Sequence, residues 1–74
     1  MDTIKINTRA MRRARELNGW TCAQTAQRIG ISDPAYRAIE LGVIRTPQQQ
    51  TRKRIANAFG VSLAQVIGFE PWDV

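Results

Sequence analysis

Residues Thr21 to Gly42, TCAQTAQRIGISDPAYRAIELG, read as two short helices joined by a tight turn. Thr21 and Gln24 form a capping-box pattern that opens the first helix, and Gly30 closes it. Ser32 caps the second helix, and Pro34 falls in its first turn, where a missing N–H does no harm. A helix crossing another steeply needs a small residue at the contact and a permissive one at the corner; Ala26 and Gly30 supply these. Cys22, Thr25, Ala26 and Ile29 make the inner face of the first helix. Ile31, Tyr36 and Ile39 continue the apolar seam, with Ile31 and Tyr36 placed for a hydrophobic staple across the cap.

Working outward, residues 1–7 alternate, with Ile4 and Ile6 on one side, and are expected to form a short extended arm. A helix is predicted over about Thr8–Leu17, capped by Asn7 or Thr8 and ended by Asn18-Gly19. Its apolar face is Ala10, Met11, Ala14 and Leu17, while Arg9, Arg12, Arg13 and Glu16 face water or a partner. Downstream, Thr46-Pro47-Gln48-Gln49 repeats a helix-start pattern with proline at the first helical position. Ile55 and Phe59 carry that helix's stripe, and Gly60 ends it. Arg52 extends the stripe backwards, with its stem on the core and its head outward. Ser62 and Gln65 form another capping box, for a short helix over Leu63–Ile67 that stops at Gly68. The tail, about residues 69–74, has no helical pattern, and its Phe69 and Trp72 either fold back on the core or dock elsewhere. Five helices and short turns predict one all-α domain over residues 1–74.

Composition narrows the partner. The 74 residues carry a formal charge of +5, which favours a polyanion over a merely solubilising surface. There is one cysteine and no histidine, so an internal disulfide is impossible and a zinc site is not expected. No apolar run approaches the ~18–20 residues of a membrane span, and Met1 to Thr8 lacks the apolar core of a signal peptide. A reducing cytoplasm fits this usage. An enzyme is disfavoured: histidine, paired carboxylates, a nucleophile with its base and a glycine-rich phosphate loop are all missing. No cofactor, metal or catalytic residue is expected.

With the elements placed, the chain resembles the Cro/phage-repressor (Xre-type) helix-turn-helix family. Thr21, Ala26, Gly30, Ile31, Ser32, Ile39, Glu40 and Gly42 carry the resemblance. Pro47, Ile55-Ala56, Ala58 and Gly60-Val61-Ser62-Leu63 continue it, so that it covers about Ala10 to Ile67. The resemblance implies a compact five-helix, lambda-repressor-like domain. It also implies a sequence-specific double-stranded DNA-binding transcriptional regulator, homodimeric on a pseudo-palindromic operator in a bacterial or phage-infected cell. It further implies a structural ion pair between Arg15 and Glu40.

By the same resemblance, the helix after Gly30 enters the major groove with Asp33, Pro34, Arg37 and Ala38 at or near bases. A helical wheel with Tyr36 and Ile39 inward turns Pro34, Arg37, Ala38 and Leu41 outward. Relatives often place glutamine, arginine or serine here, and this chain departs from that. Asp33 either accepts from a cytosine amino group or only stabilises the helix dipole. Pro34 and Ala38 offer van der Waals contact alone. Arg37 is the one residue equipped for bidentate contact with guanine; its alternatives are a phosphate or plain solvation. Thr21, Arg28, Ser32, Arg45 and Thr46 are backbone-contact candidates, with solvation the alternative for Arg28. Cys22 stands where many relatives carry a phosphate-touching glutamine, and a thiol is a weak donor, so it reads as a packing residue. Trp20, next to a helix cap, reads as core and not as a base-stacking platform. The run Arg52-Lys53-Arg54 is left between DNA, a dimer partner and water. One of Leu41, Val43 and Ile44 is expected in the core, and the rest of that cluster or the tail is a surface for a dimer or protein partner. A protein-interaction module, such as an antitoxin or antirepressor-like adaptor, is the second reading.

Overall fold

Among the described residues of the computed structural model, four of the five helices begin on a side-chain oxygen that accepts from the first turn. The structure describes residues 5–68 and residue 72. Helix α1 (Thr8–Leu17) is capped by Asn7, whose Oδ1 accepts from the Ala10 amide at 3.1 Å. Helix α2 (Cys22–Ile29) opens on the full Thr21–Gln24 capping box, and α3 (Asp33–Glu40) on the Ser32 hydroxyl. Helix α5 (Leu63–Ile67) opens on the Ser62–Gln65 box. These caps satisfy amides that no preceding turn can reach.

Helix α4 (Gln49–Phe59) is the exception. It starts after Pro47 rather than on it, and its cap Gln48 makes no side-chain bond. The Pro47 ring is buried, and the Arg52 Nη1 donates to the Pro47 carbonyl at 2.6 Å. The chain therefore stays extended through Pro47 to dock its ring, and the helix begins beyond it. Arg52 accordingly turns its head back onto the start of its own helix, not outward as its stripe position had suggested.

Every regular element among the described residues is helical. Met11, Tyr36, Ile55 and Val66 are fully enclosed, joined by Ala14, Ala26, Ile29, Ile39, Phe59 and Trp72. Helix α2 packs on α3 and α4, α4 on α5, and α1 on α3. The turn between α2 and α3 pivots on Gly30 at φ 89°, a left-handed conformation that glycine adopts without a Cβ penalty. The amides of Gly30 and Ile31 both donate to the Ala26 carbonyl, at 2.8 and 3.0 Å. Arg54 then donates to the Gly30 carbonyl at 3.2 Å, tying α4 to the corner.

The described end of the arm is docked. The Asn7 amide donates to the Val66 carbonyl at 2.8 Å, and Ile6 is buried. Its alternation partner Ile4, like Phe69 in the tail, lies outside the described residues. Trp72 folds back on the core: its indole N–H donates to the Gln65 carbonyl at 2.9 Å, and its ring meets Phe59 edge-on at 5.1 Å. Trp20 packs on the same Phe59 ring, 5.4 Å from its centre.

Two packing expectations fail. Leu17 is exposed, because α1 ends there and Trp20, packed on Phe59, lies against the core in its place. Leu41, Val43 and Ile44 are all exposed, so none is the core residue expected of that cluster. The amides of Val43 and Ile44 both donate to the Ala38 carbonyl, at 2.8 and 3.0 Å. These two hydrogen bonds to one acceptor turn the chain along the end of α3, and the side chains of Val43 and Ile44 lie in solvent. No described helix is long and apolar enough to cross a membrane.

Candidate nucleic-acid interface

Helix α3 is held from its inner side by one carboxylate. Glu40 Oε1 accepts from Arg15 Nε at 2.8 Å and from the Tyr36 hydroxyl at 2.8 Å. Its Oε2 lies 3.7 Å from the Cys22 thiol, a weak donor. Arg15 also donates through Nη1 to the Trp20 carbonyl at 2.9 Å, so α1, the start of α2 and α3 meet at this point. Burial alone would raise the Glu40 carboxyl, but the hydrogen bonds from Arg15 and Tyr36 outweigh it and hold its pKa below the ordinary range. Burial, with the Glu40 hydrogen bond, pushes the Tyr36 phenol far above its usual value. The Glu40 hydrogen bond raises Arg15 despite its burial. Cys22 is half-buried against the core and engaged with this carboxylate.

The outer side of α3 is organised differently. Asp33 Oδ1 accepts from Arg37 Nε at 2.9 Å, one turn along the same face. The hydrogen bond to Asp33 raises the Arg37 pKa further above its already high value. Two of the four residues expected on the reading face are thus bonded to each other. Pro34 is exposed as the wheel placed it. Ala38 is half-buried, not fully outward, because the chain after α3 folds against its carbonyl.

The flanking candidates occupy distinct positions. Thr21 and Ser32 are exposed at the starts of α2 and α3, each with its hydroxyl accepting from the first turn. The Arg28 guanidinium lies over the Trp20 ring, 4.3 Å from its centre, a cation–π arrangement that neither sequence alternative for Arg28 anticipated. Arg45 and Thr46 are exposed in the loop after α3.

Packing gathers two further groups of charged residues. Lys5, Thr8, Leu41, Gly42 and Arg45 line one shallow depression, which sets a cation of the arm beside the loop cation. Arg9, Arg12 and Arg13 line a second with Glu16 and Glu40. The helical wheel already sets Arg9, Arg12, Arg13 and Glu16 on one face of α1; the addition of Glu40, and the placing of Lys5 and Arg45 on one depression, come only with the packing of α1 and the arm against α3. Among the described residues no group of His, Cys, Asp and Glu is arranged to hold a metal.

A short capped helix, a glycine corner and a second helix pinned from below by an ion pair define a helix-turn-helix domain. The sequence matches the helix-turn-helix family model over residues 11–66. The chain belongs to the Cro/C1-type, Xre-like helix-turn-helix family, one of DNA-binding regulators and not of enzymes. No curated protein matches it.

Proposed function

We propose that this chain is a sequence-specific double-stranded DNA-binding transcriptional regulator that places α3 in the major groove. The observation that carries the reading is the exposed Arg37, presented by a helix whose inner side is clamped through Arg15 and Glu40. A B-form major groove admits one α-helix, and a guanidinium fork matches the O6 and N7 acceptors of guanine. Asp33, Pro34, Arg37 and Ala38 form the reading face. Thr21, Arg28, Ser32, Arg45 and Thr46 approach phosphates, which set register and carry no sequence information. The family membership and the +5 charge support the polyanionic partner. The chain acts in a bacterial or phage-infected cytoplasm as one domain that binds as a homodimer on a pseudo-palindromic operator.

Selection from random duplexes tests this. The expected result is an enriched inverted repeat with half-sites about 10 bp apart, centre to centre. Affinity should fall steeply with salt, because each neutralised phosphate releases condensed counterions. A pool without an enriched motif, or binding indifferent to salt, overturns the reading. One observation favours a second one. Leu41 and Val43, each 76% exposed, lie beside the same helix, as a protein-interaction module on this fold would require. A stoichiometric protein partner lost in Leu41→Asp, with no DNA binding by the parent chain, would replace the first reading with that one.

A further inference from the structure

We infer that Asp33 is a positioning residue that restricts Arg37 to one mode of base contact, an inference that rests on the DNA-reading role of α3. The motivating geometry is the 2.9 Å bond from Arg37 Nε to Asp33 Oδ1 on the outer face of the helix. A guanidinium presents a bidentate edge in two ways: side-on through Nε and one Nη, or end-on through both Nη groups. Asp33 occupies Nε. No described residue accepts from either Nη of Arg37. The pair therefore removes the side-on mode and leaves the end-on fork facing out.

The position of Asp33 suits this role. It is the first residue of α3, directly after the Ser32 cap, where the helix dipole favours a carboxylate and the first turn is fixed. Arg37 follows by four residues, the spacing at which helical side chains meet. The neighbours on the same face, Pro34 and Ala38, have no side-chain donor or acceptor to compete for Asp33 or to redirect Arg37. The carboxylate also offsets the arginine charge. An arginine so neutralised gains less from a phosphate that presents itself at any sequence, while its Nη donors still satisfy a guanine edge. Asp33 thus lowers sequence-independent attraction while it keeps the base contact, and specificity is the ratio of the two.

The test compares the parent chain, Asp33→Ala, Asp33→Asn and Arg37→Ala on the selected duplex, on single-base variants of it and on random-sequence DNA. Asp33→Ala should bind random DNA more tightly and lose roughly tenfold of its guanine preference at one position per half-site. Asp33→Asn keeps an acceptor for Nε, so it should retain the preference while also binding random DNA more tightly. In the Arg37→Ala background the Asp33 substitution should no longer change base preference. The inference is overturned if Asp33→Ala leaves the guanine preference intact, or if it removes a cytosine preference at a different position. Hydrogen exchange at Arg37 Nε–H in the chain without DNA supplies a separate check. Protection that is lost in Asp33→Ala supports the pair, and equal exchange in both chains overturns it. A parent chain with protected Nε–H but no base preference would instead reject the base-reading function, and the positioning role with it.

Discussion

Helix α3 carries two arginine–carboxylate pairs of nearly equal length and opposite character. Arg15 and Glu40 meet at 2.8 Å with side chains 14% and 9% exposed; Arg37 and Asp33 meet at 2.9 Å with side chains 60% and 38% exposed. Distance does not separate them, but solvent does. In the inner pair both side chains are largely withdrawn from water, so each partner supplies much of the other's solvation and the loss of one leaves its mate poorly compensated. In the outer pair both charges stay hydrated, and their attraction adds little to folding. One pair therefore sets where α3 lies, and the other sets how one side chain on α3 points.

The sharpest way to break this contrast is to remove Glu40. Glu40→Ala deprives Arg15, Tyr36 and Cys22 of a shared acceptor, and should destabilise the fold by about 3–5 kcal/mol, as breaking a buried pair generally does. Urea unfolding checks it. A loss below about 1 kcal/mol, the range of exposed pairs, would erase the distinction between the two sides of the helix.

Acid provides a gentler version of the same experiment. The Glu40 carboxyl is held below its ordinary value of 4.5, so the unfolded chain takes up its proton before the folded one does. The stability from this group is complete above about pH 4.5 and is lost as pH falls through the lower folded value. Glu40→Gln lacks that component. The stability difference between parent and variant should therefore narrow across this acid window, and a difference constant with pH would refute the assignment.

The corner that joins the two regions should respond less. Gly30→Ala forces a Cβ into a left-handed conformation, at a cost of about 1–2 kcal/mol. The added methyl would lie 3.5 Å from Arg54 Nη1, an ordinary contact, so the penalty belongs to the backbone. Chemical unfolding of Gly30→Ala measures it, and an unchanged midpoint would mean that the corner tolerates another backbone path.

Legibility in the sequence follows the same inner and outer division. The boxes at Thr21–Gln24 and Ser62–Gln65 and the cap at Ser32 were readable because each closes within four residues. The Thr46–Pro47 start signal misled because the Pro47 ring is consumed by tertiary burial and its carbonyl by Arg52. Leu17 had the right periodicity but no facing element, and periodicity alone cannot report where a helix stops being covered. On the surface, the wheel placed Arg37 outward, yet the Asp33 bond, the Arg28 contact with Trp20 and the placing of Lys5 and Arg45 on one depression are choices of rotamer and docking. Composition supplied the charge but not its distribution.

The smallest expected effect is the most discriminating for α3. A double-mutant cycle on stability with Asp33→Ala and Arg37→Ala should give a coupling of only a few tenths of a kcal/mol in moderate salt, whereas the Arg15–Glu40 cycle should give a large one. Raising the salt from about 0.01 M to 1 M shortens the screening length from about 30 Å to 3 Å. That should abolish whatever coupling the outer pair has and leave the inner one nearly unchanged. A weak pair is still sufficient for positioning, because orienting one guanidinium needs only a bias among its rotamers. The bias should grow as α3 approaches the groove, since expelled water lowers the local dielectric and strengthens the Asp33–Arg37 attraction. A strong, salt-resistant coupling between Asp33 and Arg37 in the chain without DNA would contradict this account, and would make the outer pair a second structural clamp.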